Sequence, residues 1–566
     1  MSTHSADPAS QMSNGHGGSH GHGGTHAVAA AVAYGVDTMF TLSGAHVFPL
    51  YDAAVGGKAG VEGGPAPMRL VDVRHEQTAV FAAEGLAKLT RTPGLAVLTA
   101  GPGVTNGVSA ITTAHFNGSP VVVLGGRAPD HRWGTGALQE LDQPPILAPV
   151  TKLATTVHDT AQLGSQVGAA FALATAPHRG PVFLDVPMDV LFSSAEAPAV
   201  AAAAASRMAP DNDDIDQIVA LLAASARPVL ILGGDVWAEE AEDAARELAE
   251  TAGIPVIPNG MGRGILATGH PLLVSRARGA ALGEADLVVV VGAPLDFRLG
   301  YGAFGDAAVV HVADSPGQLG GHAGLAAAAA GNLRVCLAAI REGWESLLRR
   351  PSYQEWATRL AVLVAAAGAK NAVLLASDSD PIHPARIYGD LIPRLAPDAV
   401  VIGDGGDFVS FAGKYLEPAR AGCWMDPGPY GCLGTGLGYA IAARLARPSS
   451  QVVLLLGDGA AGFSLMDVDT LVRHNLPVVM VMGNNGIWGL EKHPMQFLYQ
   501  YDVAAELSQA TRYDQVVTAL GGGGETVTRP QDIGPALDRA FASGIPYLVN
   551  IITDPAAVYP RSTTGV

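Results

Sequence analysis

The chain has 566 residues, enough by size for three or four domains, and its 48% hydrophobic and 15% charged content can bury large cores. Acidic residues outnumber basic ones 52 to 34, a net charge of −18 that argues against a nucleic-acid partner. Three cysteines without paired spacing exclude a disulfide framework or structural zinc and fit a reducing cytoplasm, and no apolar run reaches the roughly 18 residues of a membrane span.

Residues 1–25 are rich in Ser, Gly and His and cannot bury a core, so a disordered tail is expected; its histidines could bind a metal, but a solvated tail is the simpler reading. From 26 to 191, apolar strands at 38–42, 68–73, 95–99, 120–124 and 181–186 alternate with helical stretches, as in a doubly wound α/β domain. An alanine-rich linker follows at 198–206. A second α/β unit, 207–348, carries strand patterns at 228–232, 254–257, 286–291 and 309–312. A helical linker leads to a third unit, 379–566.

The third unit holds the most informative stretch. The apolar run 452–456 reads as a buried parallel strand and ends in Gly457-Asp458-Gly459. A helical segment follows, then a second apolar run, 477–482, ending in Asn484-Asn485. Both polar tips fall at the carboxyl ends of strands joined by one crossover, where open α/β sheets bind ligands. Asp458 and Asn485 offer hard oxygens of the kind Mg²⁺ takes while phosphates and water fill its other positions. Gly459 and Ala460 open the following helix, so their N–H groups can meet a phosphate.

Gly-Asp-Gly, a gap of this length and Asn-Asn resemble the signature of thiamine-diphosphate (ThDP) enzymes. From about residue 27 onward the chain resembles the acetolactate synthase-like branch, which includes acetolactate synthase, oxalyl-CoA decarboxylase, 2-hydroxyacyl-CoA lyase and benzaldehyde lyase. The resemblance implies three doubly wound parallel-sheet domains: pyrimidine-binding, middle and diphosphate-binding. It implies Mg²⁺ on Asp458, Asn485 and the backbone oxygen of Ile487. In the segment RHEQTAVFAAEG, Glu76 alone would read as a helix first-turn charge. The resemblance makes it the carboxylate that shares a proton with N1′ of the cofactor, so that the cofactor's C2 can act as a carbanion. The family places the cofactor between the first domain of one subunit and the third of another, implying a homodimer or homotetramer.

The same likeness assigns the turn Gly101-Pro102-Gly103-Val104-Thr105-Asn106 to the mouth of the site. It sets His46, in Ser43-Gly44-Ala45-His46, and Gln139 facing the substrate. Gly405 and Gly406 fall in a loop contacting the terminal phosphate. Leu433 and Gly434 fall in the loop supporting the cofactor rings, with Leu433 the apolar wedge beneath them. Glu491 stands where pyruvate decarboxylases and some 2-hydroxyacyl-CoA lyases keep a catalytic glutamate. There a partly desolvated carboxylate could take a proton from a substrate hydroxyl. Biosynthetic acetolactate synthases instead carry an apolar residue followed by a Gln-Trp pair; this chain has Glu491-Lys492-His493-Pro494.

In this superfamily the middle domain binds FAD, binds an ADP or CoA moiety, or binds nothing. The runs around 275–286 and 296–302 resemble the CoA-using branch. Arg276, Arg278 and Arg298 would pair with CoA phosphates, or else serve as helix-surface or interdomain charges. The expected activity is reversible cleavage of a 2-hydroxyacyl-CoA into formyl-CoA and an aldehyde or ketone. The alternative is acetolactate synthase-like condensation of 2-oxo acids, and a third reading is a catalytically idle regulatory partner.

Overall fold

The computed structural model describes residues 19–56, 66–203 and 207–559. Three parallel sheets flanked by helices follow one another along the chain. The first has six strands in the spatial order Arg69–Asp72, Thr38–Thr41, Gly94–Leu98, Val121–Arg127, Val182–Pro187, Leu153–Thr156. The second has five: Val256–Pro258, Pro228–Leu232, Leu287–Val291, Ala308–Ala313, Leu325–Ala330. The third has six: Trp424–Met425, Val400–Asp404, Val452–Gly457, Val479–Asn484, Tyr547–Ile552, Gly523–Val527. Central strands such as Leu287–Val291 are buried at every residue, which is why they read as unbroken apolar runs.

The first and third sheets are joined by packing. Helix Glu76–Thr90 lies on helix Thr435–Ala446, and one apolar cluster runs from Phe40, Val80 and Phe81 into Leu437, Tyr439 and Leu454. At the seam Tyr439 Oη donates to Glu84 at 2.9 Å, and Asn117 and Ser119 donate to the same carboxylate at 2.7 and 3.0 Å. A buried carboxylate with three donors ties the two units at a fixed register.

Two expectations are corrected. The tail was expected to be disordered through residue 25. Residues 1–18 lie outside the described residues, but Ser19–His22 pairs antiparallel with Ser194–Ala197, and helix Gly23–Ala33 starts directly after it. His22 caps that helix, its Nδ1 accepting from Thr25 N–H at 3.1 Å. Gly23 and Gly24 are buried because a Cβ there would lie 2.6 Å from Val190 O and 2.1 Å from Pro49 O. Glycine here permits close packing and does not mark a loose segment.

The second correction concerns apolar length. Helix Gln354–Leu375 has 22 residues, and an 18-residue stretch of it, only 6% buried, reaches a mean hydropathy of 1.4, enough by length and composition to cross a membrane. It links the second and third units. It packs through Trp356, Ala357 and Leu360, with Trp356 Nε1 donating to Pro228 O at 3.1 Å.

Candidate active site

Asp458 and Asn485 come together as their spacing implies. Strands Val452–Gly457 and Val479–Asn484 are direct neighbours, so their carboxyl ends lie side by side. Gly486 N–H donates to Asp458 Oδ2 at 3.0 Å, and Ile487 N–H donates to Asn485 Oδ1 at 3.2 Å. Gly486 has φ +69°, which turns the chain between these bonds. Segment 504–509 pins the turn: Trp488 N–H donates to Ala505 O at 2.9 Å and Leu507 N–H to Gly486 O at 2.7 Å. Burial pushes the Asp458 carboxyl up to about 6, with surrounding backbone N–H groups pulling it back down.

The glycine loops close around this pair. Gly405 has φ +130°, and a Cβ there would lie 3.2 Å from Gly457 N and 3.6 Å from Ala460 Cβ. A Cβ on Gly406 would meet Leu490 Cδ1 at 2.4 Å, and one on Gly459 would meet the Trp488 ring at 2.5 Å. Asp404, whose role sequence reasoning missed, holds the third loop. Its two oxygens accept Gly434 N–H at 3.0 Å and Gly436 N–H at 2.9 Å. Gly434 itself is left-handed, with φ +88°, and Leu433 beside it is half-buried. The structure therefore gathers Gly405, Gly406, Gly434, Gly457, Asp458, Gly459, Ala460, Asn485 and Ile487 at one end of the third sheet.

This donor set fits a magnesium diphosphate. A carboxylate, an amide oxygen and the Ile487 carbonyl are hard oxygens, and the glycine-lined cradle has no Cβ to fill it.

Glu76 is the first residue of helix Glu76–Thr90 and is 7% exposed. Asn106 Nδ2 donates to its Oε2 at 3.0 Å. The helix start is tied to the third unit of the same chain. Asp467 accepts Arg74 N–H at 2.8 Å and Thr78 Oγ1 at 2.7 Å, and Gln77 Nε2 donates to Phe463 O at 3.1 Å. His46 is buried with Nδ1 3.3 Å from Thr99 Oγ1. Burial lowers its imidazole, opposed by a hydrogen bond with the Leu138 backbone. Gln139 has φ +59° and packs over Gly101, where a Cβ would be 3.0 Å from its own. Gln143, not singled out from the sequence, fixes that turn: its Oε1 accepts Gly101 N–H at 2.7 Å and its Nε2 donates to Asp185 at 2.6 Å.

Two expectations change here. Glu491 was expected to be partly desolvated, yet in the single chain it is exposed on the first turn of helix Gly489–Tyr499. Its neighbour Lys492 pairs with Glu506, away from it. The three arginines do not form one cluster. Arg298 lines a cavity of about 610 Å³ at the carboxyl ends of the middle strands, bounded also by Lys88, Arg91, Gly233 and Asn259. Its guanidinium is held by Asp296 at 2.7 Å. Arg278 is half-buried and donates to Arg298 O at 3.1 Å, and burial lowers its guanidinium from the ordinary value. Arg276 is exposed, beside Gly368 of the connecting helix.

Three family models match in order. The thiamine pyrophosphate enzyme N-terminal TPP binding domain matches residues 22–146, the central domain 215–340 and the C-terminal TPP binding domain 404–551. The chain is 49% identical over 534 residues to the acetolactate synthase large subunit IlvG of Mycobacterium tuberculosis, covering 94% of this chain and 95% of that protein. The probable acetolactate synthase of Mycobacterium bovis matches to the same extent. The 2-hydroxyacyl-CoA lyase 2 of Homo sapiens is 31% identical over 607 residues, covering 97% of this chain and 91% of that protein.

Proposed function

The chain belongs to the thiamine pyrophosphate enzyme family, and from that premise we propose that it condenses two 2-oxo acids, with loss of carbon dioxide from the first. The observation that carries this reading is the 49% identity along 94% of the chain to a protein named acetolactate synthase. It displaces the lyase expected from the sequence, whose relatives stand near 31%. An idle regulatory role is set aside, since Glu76, Asp458 and Asn485 are all kept.

ThDP, when bound, supplies the carbon nucleophile and holds the electron pair freed by decarboxylation. Asp458, Asn485 and the Ile487 carbonyl would hold Mg²⁺ and through it the diphosphate. The Gly405–Gly406 and Gly459–Ala460 backbones would receive the phosphate oxygens. Asn106 occupies one oxygen of Glu76 and leaves the other to share a proton with N1′ of the pyrimidine. His46, held low by burial, would present a neutral imidazole to the substrate carbonyl, with Gln139 beside it. Glu491, exposed in the single chain, would act on substrate only where a second subunit covers it. We place the active sites between the subunits of a homodimer or homotetramer, in the cytoplasm.

A second reading keeps 2-hydroxyacyl-CoA cleavage. It is favoured by the cavity of about 610 Å³ with Arg298, Lys88 and Arg91 on its wall, which could take the nucleotide of CoA or FAD. Product mass spectrometry after incubation with ThDP and Mg²⁺ decides between them. Acetolactate from pyruvate, with no product from 2-hydroxyisobutyryl-CoA, is expected. Formyl-CoA and acetone from the latter would overturn the condensation reading.

A further inference from the structure

A second group of ligating side chains lies away from the glycine cradle. His178 sits between helix Thr160–Thr175 and strand Val182–Pro187 of the first unit. Asp235 follows strand Pro228–Leu232, and Asp314 follows strand Ala308–Ala313, both at carboxyl ends of the middle sheet. One ligand atom from each lies within 4.8 Å of the others. His178 Nδ1 is 2.9 Å from Asp314 Oδ2. Ligand atoms about 2.1 Å from a shared ion are at most about 4.2 Å apart. A contraction of roughly half an ångström would close the three on an ion.

Two cations lie near this group and their charges reach its carboxylates, but neither bonds them: Arg179 pairs with Glu239, and Lys152 Nζ donates to Ala176 O and His178 O, both at 2.7 Å. Glu239 is also bonded by Asn332. That leaves two carboxylates facing one imidazole. Asp314 is 1% exposed, and its Oδ1 is buried with no hydrogen-bond partner. Such an orphaned acceptor is costly unless something is bound to it. The imidazole is fixed in place, since Gly118, at φ +60°, has no Cβ where one would lie 2.5 Å from His178 Nε2. His178 and Asp235 line the cavity of about 610 Å³, which gives an ion a way in and room for its waters.

We propose that His178, Asp235 and Asp314 form a site for a divalent transition cation of the Zn²⁺ or Mn²⁺ type, which clamps the first unit to the middle one. One imidazole with two carboxylates suits such ions, whereas Mg²⁺ prefers an all-oxygen shell. The site does not depend on which substrate the enzyme takes.

The test uses the full chain saturated with Mg²⁺ and ThDP, so that the glycine cradle is filled. Co²⁺ is titrated in as a spectroscopic probe, with bound metal counted by mass spectrometry and the thermal midpoint recorded. The parent is compared with Asp314→Asn and Asp235→Asn; the second serves if the buried Asp314 variant does not fold. Histidines in the N-terminal stretch are common to all three chains, so their uptake cancels. Each folded variant should lose one equivalent of tight Co²⁺. It should also lose the rise of a few degrees, about 2–5 °C, that the ion gives the parent. Equal uptake and equal midpoints in parent and variants would sink the site and leave a buried His178–Asp314 ion pair.

Discussion

At the residue scale the cradle depends on one buried charge. Asp404 is 1% exposed, and its oxygens accept the Gly434 and Gly436 N–H groups. Burial pushes its carboxyl from 3.8 up to about 6, with those two N–H groups pulling the other way. The folded chain then holds the proton at pH values where the unfolded chain has released it. By linkage, the contribution of Asp404 to stability falls as pH rises from about 4 to about 6 and is constant above that. Asp185 and Asp458 are also raised to about 6, so the parent curve alone cannot isolate this group. Asp404→Asn can. The stability of the parent minus that of the variant should drop by about 1–3 kcal/mol between pH 4 and pH 6, read from paired thermal midpoints. A difference that stays level across that range would mean Asp404 is not the titrating group.

The same residues show what a sequence conceals. Asp458 and Asn485 stand at recognisable strand ends, whereas Glu76 by itself reads as a helix first-turn charge and takes its expected role from the family resemblance. Asp404 was read only as part of a glycine loop, because the amides it holds lie 30 and 32 residues away. Gln143 acts on Gly101 across 42 residues, and Asn106 on Glu76 across 30. No local pattern carries such pairings. Glu491 took its expected role from the family resemblance, and a resemblance does not report exposure.

At the element scale, the seam between helices Glu76–Thr90 and Thr435–Ala446 is set by glycine. A Cβ on Gly438 would lie 2.5 Å from Phe81 Cβ and 3.1 Å from Ala82 N, closer than backbone atoms tolerate. Alanine is intrinsically better in a helix by about 1 kcal/mol. Overpacking of about 1–3 kcal/mol should outweigh that gain, so Gly438→Ala is expected to lower the thermal midpoint. Gly283, in helix Arg278–Glu284, has nothing within 4 Å of its would-be Cβ. Gly283→Ala should raise the midpoint. Opposite signs would establish that the interhelical approach, and not helix propensity, explains the first; two increases would contradict it. Legibility varied among elements for a related reason. Branched apolar runs such as Leu287–Val291 announced themselves. Leu325–Ala330 is five alanines after a leucine, with no β-branched residue, and Gly523–Val527 opens on two glycines and is β-branched only at its last two positions, so neither reads as a strand throughout.

At the scale of the whole molecule, the three-sheet order along the chain was readable, because alternating strand and helix signals fix a doubly wound unit each time. The assembly is a separate matter. In the single chain Glu491 is exposed, and Phe497, Leu498, Tyr499, Tyr501 and Val503 on and after the same helix are 59–67% exposed. A contiguous apolar surface of this kind marks a contact, and it lies next to the segment that carries Asn485. If Glu76 of one subunit serves the cradle of another, Glu76→Gln and Asp458→Asn chains will each be inactive alone. A two-fold pair built from one of each then holds one site with both changes and one with neither. Random exchange of equal amounts should restore about a quarter of the parent turnover, since half the pairs are mixed and each has one intact site. If the site were completed within one chain, every site in every pair would carry a change and mixing would restore nothing. Turnover of the mixture after exchange, compared with each variant alone, therefore reads out whether the chain on its own is half of two sites or the whole of one.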